Sequence, residues 1–221
     1  MSGIVVKNFL PLSKRCAGIR IMSLRFYSSL HTLPNLWNVV SAVKYATRMG
    51  ADIVNFSGGG TDRSFSENKA VEEAAAEGVL FVVAAGNNGQ DLALSPYYPA
   101  SYGIKNVISV AASGQDGRLI DMSNYGAVDL SAPGEMVMST LPNNSYGELS
   151  GTSMAVPYVT ALAASLMARY PGSNKLDRAT RVAHWLKASG VQKPLLHRTR
   201  YGEASVSRAL EIQRHELRSA R

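Results

Sequence analysis

Apolar residues recur along this chain in two rhythms, one suited to amphipathic helices and the other to buried strands. Residues 36–49 place Leu36, Val39, Val40, Val43, Ala46 and Met49 on one face of a 3.6-residue helix, with Gly50 as the stop. A strand over 51–56 follows and runs into Ser57-Gly58-Gly59-Gly60. Ser64 and Glu67 have capping-box spacing, which predicts a helix from there to Glu77, ahead of Gly78. Residues 79–85 are almost wholly apolar, as in a strand buried on both faces of a parallel sheet, and they end in Gly86-Asn87-Asn88-Gly89. Runs at 19–26, 107–112 and 127–130 read as further strands. Residues 154–169 form a long apolar helix stopped by Pro171-Gly172, and a last helix over 176–188 precedes a turn at Tyr201-Gly202.

Strand alternating with helix at this spacing predicts an α/β fold: a parallel sheet in the middle of three layers, flanked by helices. With no repeat, low-complexity linker or composition shift, one domain over 1–221 is expected. The chain has 221 residues, 46% of them hydrophobic, enough to bury a substantial core. Its formal charge of +7 raises nucleic acid or an acidic membrane surface as partners. Much of the excess falls between Lys175 and Arg221 with no aromatic platform for bases, so we read it as a solvated basic stretch and expect no nucleic-acid partner. No apolar run approaches a membrane span, and none is expected. Cys16 is the only cysteine, which excludes an intrachain disulfide and a thiolate metal cluster. Residues 1–12 carry Lys7 within an apolar stretch and do not read as a signal peptide, so localisation stays open.

In open α/β sheets, ligands gather beyond the carboxyl ends of the strands. Three glycine-containing turns fall there: Ser57 to Gly60, Gly86 to Gly89, and Gly151 to Ser153. Taken singly, each is a tight turn of the kind glycine permits. The third puts Ser153 in the first turn of an apolar helix, where free N–H groups and the positive dipole end lie. An oxyanion formed by attack of Ser153 Oγ on a carbonyl would be stabilised there. Composition alone favours the plainer reading, in which Thr152 or Ser153 merely caps the helix. Pro157 is unusual so early in that helix, beyond the first turn, where its missing N–H would matter.

Gly151-Thr152-Ser153-Met154-Ala155-Val156-Pro157 resembles the nucleophile signature of the subtilisin family. Val83-Ala84-Ala85-Gly86-Asn87-Asn88-Gly89 is similar to the family segment carrying the oxyanion asparagine. Asp52-Ile53-Val54-Asn55-Phe56-Ser57-Gly58-Gly59 is similar to the strand and turn lining its cleft. Further landmarks extend the resemblance over 18–210. It implies a subtilisin-like fold, incomplete at its N-terminus, and a serine endopeptidase acting on extended polypeptide. Ser153 would be the nucleophile, and Asn87 would donate to the oxyanion together with the Ser153 N–H. Ser57, Gly58 and Gly59 would pair with substrate by strand addition, and Ala84, Ala85 and Gly86 would wall the specificity pocket. No cofactor or metal is expected, calcium being suggested by family analogy alone.

The family's Asp and His, in Asp-x-Gly and His-Gly-Thr-His contexts, have no counterpart here. The first eighteen residues contain neither type, and His31, His184, His197 and His215 stand in other contexts. Smaller departures are Gly58, Tyr158 and Ala161. The sequence therefore reads as a fragment or truncated gene model of a peptidase, inactive alone because the base and its orienting carboxylate are missing. The alternatives are a pseudo-peptidase that binds extended peptides without cutting them, or a site completed by another chain. A nucleotide-binding domain is disfavoured, since neither Gly-x-x-x-x-Gly-Lys-Ser/Thr nor a strand followed by Gly-x-Gly-x-x-Gly occurs.

Overall fold

Leu80-Phe81-Val82-Val83-Ala84 offers no polar side chain to water, and all five residues are buried at the centre of a parallel sheet. The computed structural model describes residues 1–9, 18–25, 36–170, 172–192 and 198–219. In chain order its elements are α1 (Ser2–Phe9), α2 (Leu36–Arg48), β1 (Ile53–Phe56), α3 (Phe65–Ala76), β2 (Leu80–Ala84), β3 (Val107–Ser113) and β4 (Leu130–Pro133). They continue with β5 (Val137–Leu141), β6 (Ser145–Leu149), α4 (Thr152–Arg169), α5 (Lys175–Ala188) and α6 (Val206–Ser219).

The four parallel strands run in the order β1-β2-β3-β4, with Ile53 opposite Leu80, Phe81 opposite Val107 and Val110 opposite Leu130. Period-two alternation sorts their side chains into two cores. Leu80, Val82, Ile108, Val110 and Leu130 face α4 and α5, meeting Val156, Leu162, Leu166, Val182 and Trp185. Phe81, Val83 and Val107 face α2 and α3, meeting Val39, Val43, Val71 and Ala74. The fold is the expected three-layer α/β arrangement.

Local chemistry explains most boundaries. Gly50 and Gly78 end α2 and α3 at φ of 79° and 77°, a left-handed conformation that glycine adopts without strain. The Ser64 side chain caps α3 by accepting from Glu67 N at 3.2 Å. The reciprocal half of the capping box is relayed: Ser64 N donates to Tyr102 Oη, which in turn donates to Glu67 Oε2 at 2.6 Å. Burial raises the Glu67 carboxyl above its ordinary range, and the Tyr102 hydrogen bond opposes that shift only in part. A folded-state pKa above the unfolded value means that this group's contribution is complete at low pH and is lost as pH rises through the folded value. Glu67→Gln is therefore expected to gain on the wild type in melting temperature as pH climbs from 4 to 8. Parallel melting curves across that range would contradict it.

Several expectations need correction. Residues 18–25 contain no strand, and Phe26 lies outside the described residues. An apolar run becomes a strand only when a neighbour takes its N–H and C=O groups, and Ile19 instead packs against Val5, Phe9 and Ala161. Met49, placed on the inward face of α2, is 58% exposed because α2 ends at Arg48. The strand expected at 127–130 lies at Leu130–Pro133. The carbonyls of Val128 and Asp129 accept from Arg200 N and Tyr201 N, and the ladder to β3 begins only at Leu130.

Four elements were not anticipated: α1, the two strands of the β5–β6 hairpin, and α6. Helix α1 buries Ile4, Val5 and Phe9 and lies on α4, where Ala161 is small enough to admit Val5 and Phe9. The β5–β6 hairpin turns through Asn143 and Asn144 at positive φ, a conformation asparagine tolerates. In α6 Ala209 and Gln213 are buried and Leu210 and Ile212 pack partly buried against the main core, an apolar face the sequence reading passed over; Gln213 Nε2 donates to the Leu166 carbonyl at 2.8 Å. The basic stretch is also less solvated than expected. Arg178 pairs with Asp52 at 3.0 Å, and Lys187 and Arg200 lie 3.7 and 3.9 Å from buried Asp129.

Candidate active site

β1, β2 and α4 converge at the carboxyl ends of the parallel strands, the end of an α/β sheet where ligands collect. β1 delivers Ser57, β2 delivers Ala85-Gly86-Asn87, and α4 begins at Thr152. Gly151 precedes α4 at φ 134° and supplies no capping side chain. Asn87 caps the helix from the neighbouring strand end: its Oδ1 accepts from both Thr152 N and Thr152 Oγ1 at 2.9 Å. A Cβ at position 151 would lie 3.3 Å from Asn87 Nδ2 and Oδ1, so glycine there admits the amide. With Oδ1 committed to Thr152, the two N–H bonds of Nδ2 are left to donate elsewhere.

Ser153 and Ser57 are joined reciprocally. Ser153 Oγ donates to the Ser57 carbonyl at 3.0 Å, and Ser57 Oγ donates to the Ser153 carbonyl at 3.1 Å. The second bond explains Pro157. An N–H at 157 would have taken the Ser153 carbonyl in the helical i→i−4 pattern, and proline has none, so the carbonyl is free for Ser57. The network continues inward: Asn55 Nδ2 donates to Ser57 Oγ at 3.0 Å, and Thr160 Oγ1 donates to Asn55 Oδ1 at 3.0 Å. Ser57→Ala leaves the Ser153 carbonyl without a donor at a half-buried position, an expected loss of about 1–2 kcal/mol measurable by urea denaturation. An unchanged midpoint would show that water replaces the serine.

The turn carrying Asn87 is fastened by Asn124, which is 1% exposed. Its Oδ1 accepts from Asn88 N at 3.0 Å and Gln90 N at 2.9 Å, and its Nδ2 donates to the Ala85 carbonyl at 2.8 Å. Gly86 takes φ of 99°, and a Cβ there would approach Asn124 Nδ2 to 2.5 Å.

Of the residues expected from sequence, Ser153, Asn87 and Ser57 are brought together. Gly58 and Gly59 continue outward from Ser57, Gly59 being exposed, while Ala84, Ala85 and Gly86 are buried beside them at the end of β2. Asn55, Thr152, Thr160 and Asn124 were missed; the proline at 157 was the one sequence signal that α4 carried an unusual bond. The hydrogen-bonding groups gathered around Ser153 among the described residues are hydroxyls, amides and carbonyls. His184 and His215 are exposed in a groove between α5 and α6 with Asp177, Arg181 and Glu216, His184 lying 3.5 Å from Glu216. His31, His197 and Cys16 lie outside the described residues. Among the described residues no group of three His, Cys, Asp or Glu side chains could hold a metal, and no helix is long and apolar enough to cross a membrane.

Comparison with known proteins gives a family match over residues 1–210, to the model described as the Subtilase family. The match begins ahead of residue 18, where the sequence resemblance was expected to start, and takes in α1. Subtilisin DY of Bacillus licheniformis is 40% identical over 135 residues, covering 60% of this chain and 48% of its own length. Thermitase of Thermoactinomyces vulgaris is 39% identical over 142 residues, covering 64% of this chain and 49% of its own. The chain thus spans about half the length of these two curated relatives. Among solved structures, a mutant of the protease domain of PatA matches with a TM-score of 0.72 at 29% identity, covering 81% of this chain and 66% of that one.

Proposed function

The chain belongs to the subtilase family, and from that premise we propose that it carries the nucleophile and oxyanion half of a serine endopeptidase site. Ser153 Oγ attacks the carbonyl carbon of a polypeptide substrate. The amide C–N bond then breaks as an acyl-enzyme forms, the proton passes to the leaving amine, and water releases the acyl group. Asn87 Nδ2 and the Ser153 backbone N–H hold the negative oxygen of the tetrahedral intermediate. The substrate lies extended against Ser57-Gly58-Gly59, with Ala84-Ala85-Gly86 as the facing wall.

One observation carries the reading: Asn87 Oδ1 is locked onto Thr152, the residue before the serine, so its amide donors sit beside the nucleophile at a helix N-terminus. A single such donor is worth about 10²–10³ in rate, a magnitude measured on a subtilisin and carried over here. The chemistry also needs a base to take the serine proton. The Ser153 hydroxyl instead gives its hydrogen bond to the Ser57 carbonyl, which cannot accept a proton at neutral pH. That bond favours a second reading for the chain taken alone, in which the cleft binds extended peptides without cutting them.

A fluorophosphonate probe followed by intact mass and peptide mapping separates the readings. Adduct on Ser153 of the native protein supports a complete hydrolytic site, with the base supplied by a group other than those described around Ser153. Binding of an extended peptide without adduct supports the non-cutting cleft. Neither adduct nor binding would overturn both.

A further inference from the structure

The slot between the two segments that wall the proposed cleft is already occupied by an aromatic ring. A Cβ at Gly59 would meet Tyr97 Cε1 at 2.5 Å and Cζ at 3.1 Å, while a Cβ at Gly86 would meet Tyr97 Cδ1 and Cδ2 at 3.0 Å. The phenol therefore bridges the cleft: its root end lies against the backbone after β2, and its hydroxyl end lies against the backbone after β1. We infer that Tyr97 determines which substrates the cleft accepts, restricting the residue before the scissile bond to glycine, alanine or serine. The inference rests on the cleft assigned above, because it uses Ser57-Gly58-Gly59 and Ala84-Ala85-Gly86 as the two walls.

The ring is not free to swing aside at small cost. Tyr97 N donates to Ser101 Oγ at 3.1 Å, and Ser101 N donates to the Tyr97 carbonyl at 2.9 Å, closing a turn around the residue. The next residue, Tyr98, exchanges two backbone hydrogen bonds with Gly60, at 3.0 and 2.7 Å, and these fasten the turn to the first wall. Tyr97 also packs on the buried cluster of Ala85, Leu92, Ala111 and Val128 beneath the second wall. A leucine or phenylalanine side chain entering between the walls would have to displace this ring from both glycines. A methyl or a hydrogen need not. Bulk in a close-packed slot is rejected steeply, one methylene being worth roughly 10–200-fold in discrimination.

The test uses fluorescein-labelled extended peptides, identical except for alanine, leucine or phenylalanine at the residue before the intended scissile bond. Affinity is read by anisotropy, and cleavage by mass spectrometry, on the full chain. Alanine is expected to be preferred over phenylalanine by at least about 20-fold. Tyr97→Gly should compress that ratio to within about threefold by raising the phenylalanine value. Tyr97→Phe, which keeps the ring, should retain the wild-type ratio. Equal acceptance of phenylalanine and alanine by the wild type, or an unchanged ratio in Tyr97→Gly, would overturn the inference while leaving the cleft in place, because peptide would still be bound or cut. Absence of binding and cleavage for every peptide and variant would remove the cleft itself, and this inference with it. The wild-type ratio decides the matter alone if Tyr97→Gly does not fold.

Discussion

Asn124→Ala is expected to lower stability by about 3–5 kcal/mol and to abolish peptide binding at temperatures where the variant is still folded. The size follows from what one buried amide does. Asn124 spends its oxygen on two backbone N–H groups of the turn after β2 and its nitrogen on the Ala85 carbonyl. Its own N–H donates to the Gly86 carbonyl at 3.0 Å, and that bond survives the substitution. The Ala85 carbonyl lies in a residue with no exposure at all, so water cannot replace the lost donor without a cavity opening beside it. Asn88 and Gln90 are exposed, and solvent can take up their N–H groups, but the turn then keeps only backbone bonds, such as Gly89 N to the Met122 carbonyl and Tyr125 N to the Gln90 carbonyl, and loses the side-chain clamp that aims Asn87 at Thr152. The measurement is a urea denaturation curve together with peptide anisotropy below the transition. A loss under 1 kcal/mol with intact binding would show that Gly86 and the β2 ladder suffice to fix the turn.

Local rules made the central sheet legible. The run at 79–85 had no polar residue to place in water, so burial on both faces was the available solution, and β2 is indeed buried throughout. The same reasoning failed at 19–26, because an apolar run does not carry the identity of its partner strand. It failed again at 127–130, where competition from the residue 200–201 turn, distant in sequence, moved the ladder three residues on. Helix α6 carries an apolar face, with Ala209, Leu210 and Ile212 against the core, that could have been read; what the sequence did not show is that Gln213 is buried and satisfied by a carbonyl of α4.

At the site, the glycine-rich turns and the serine could be read from the sequence, whereas the hydrogen bonds that join them could not. Asn55 looked like one polar residue in a strand, and Thr160 like one polar residue in an apolar helix. Only their juxtaposition across 105 residues of chain makes them the support beneath Ser57. Pro157 was the exception: its missing N–H advertised a carbonyl in want of a donor, and the donor proved to be Ser57.

Asn87→Asp should separate two roles that Asn87 holds at once. The carboxylate keeps an oxygen for Thr152 N and Oγ1, and it places negative charge at the positive end of α4, where such a charge is favourable by about 0.3–1 kcal/mol. Thermal stability is therefore expected to equal or exceed that of the wild type. The two amide donors are gone, however, and an anion faces the place where the oxyanion would form. Reactivity of Ser153 should fall by at least about 10²–10³, whether read as phosphonylation or as peptide cleavage. Asn87→Ala supplies the contrast: it loses the cap, at about 1 kcal/mol, and the donor together. Stability should thus rank aspartate at or above asparagine and both above alanine, while Ser153 reactivity ranks asparagine far above the other two. If Asn87 served the helix alone, the two properties would move in step, and Asn87→Asp would react like the wild type.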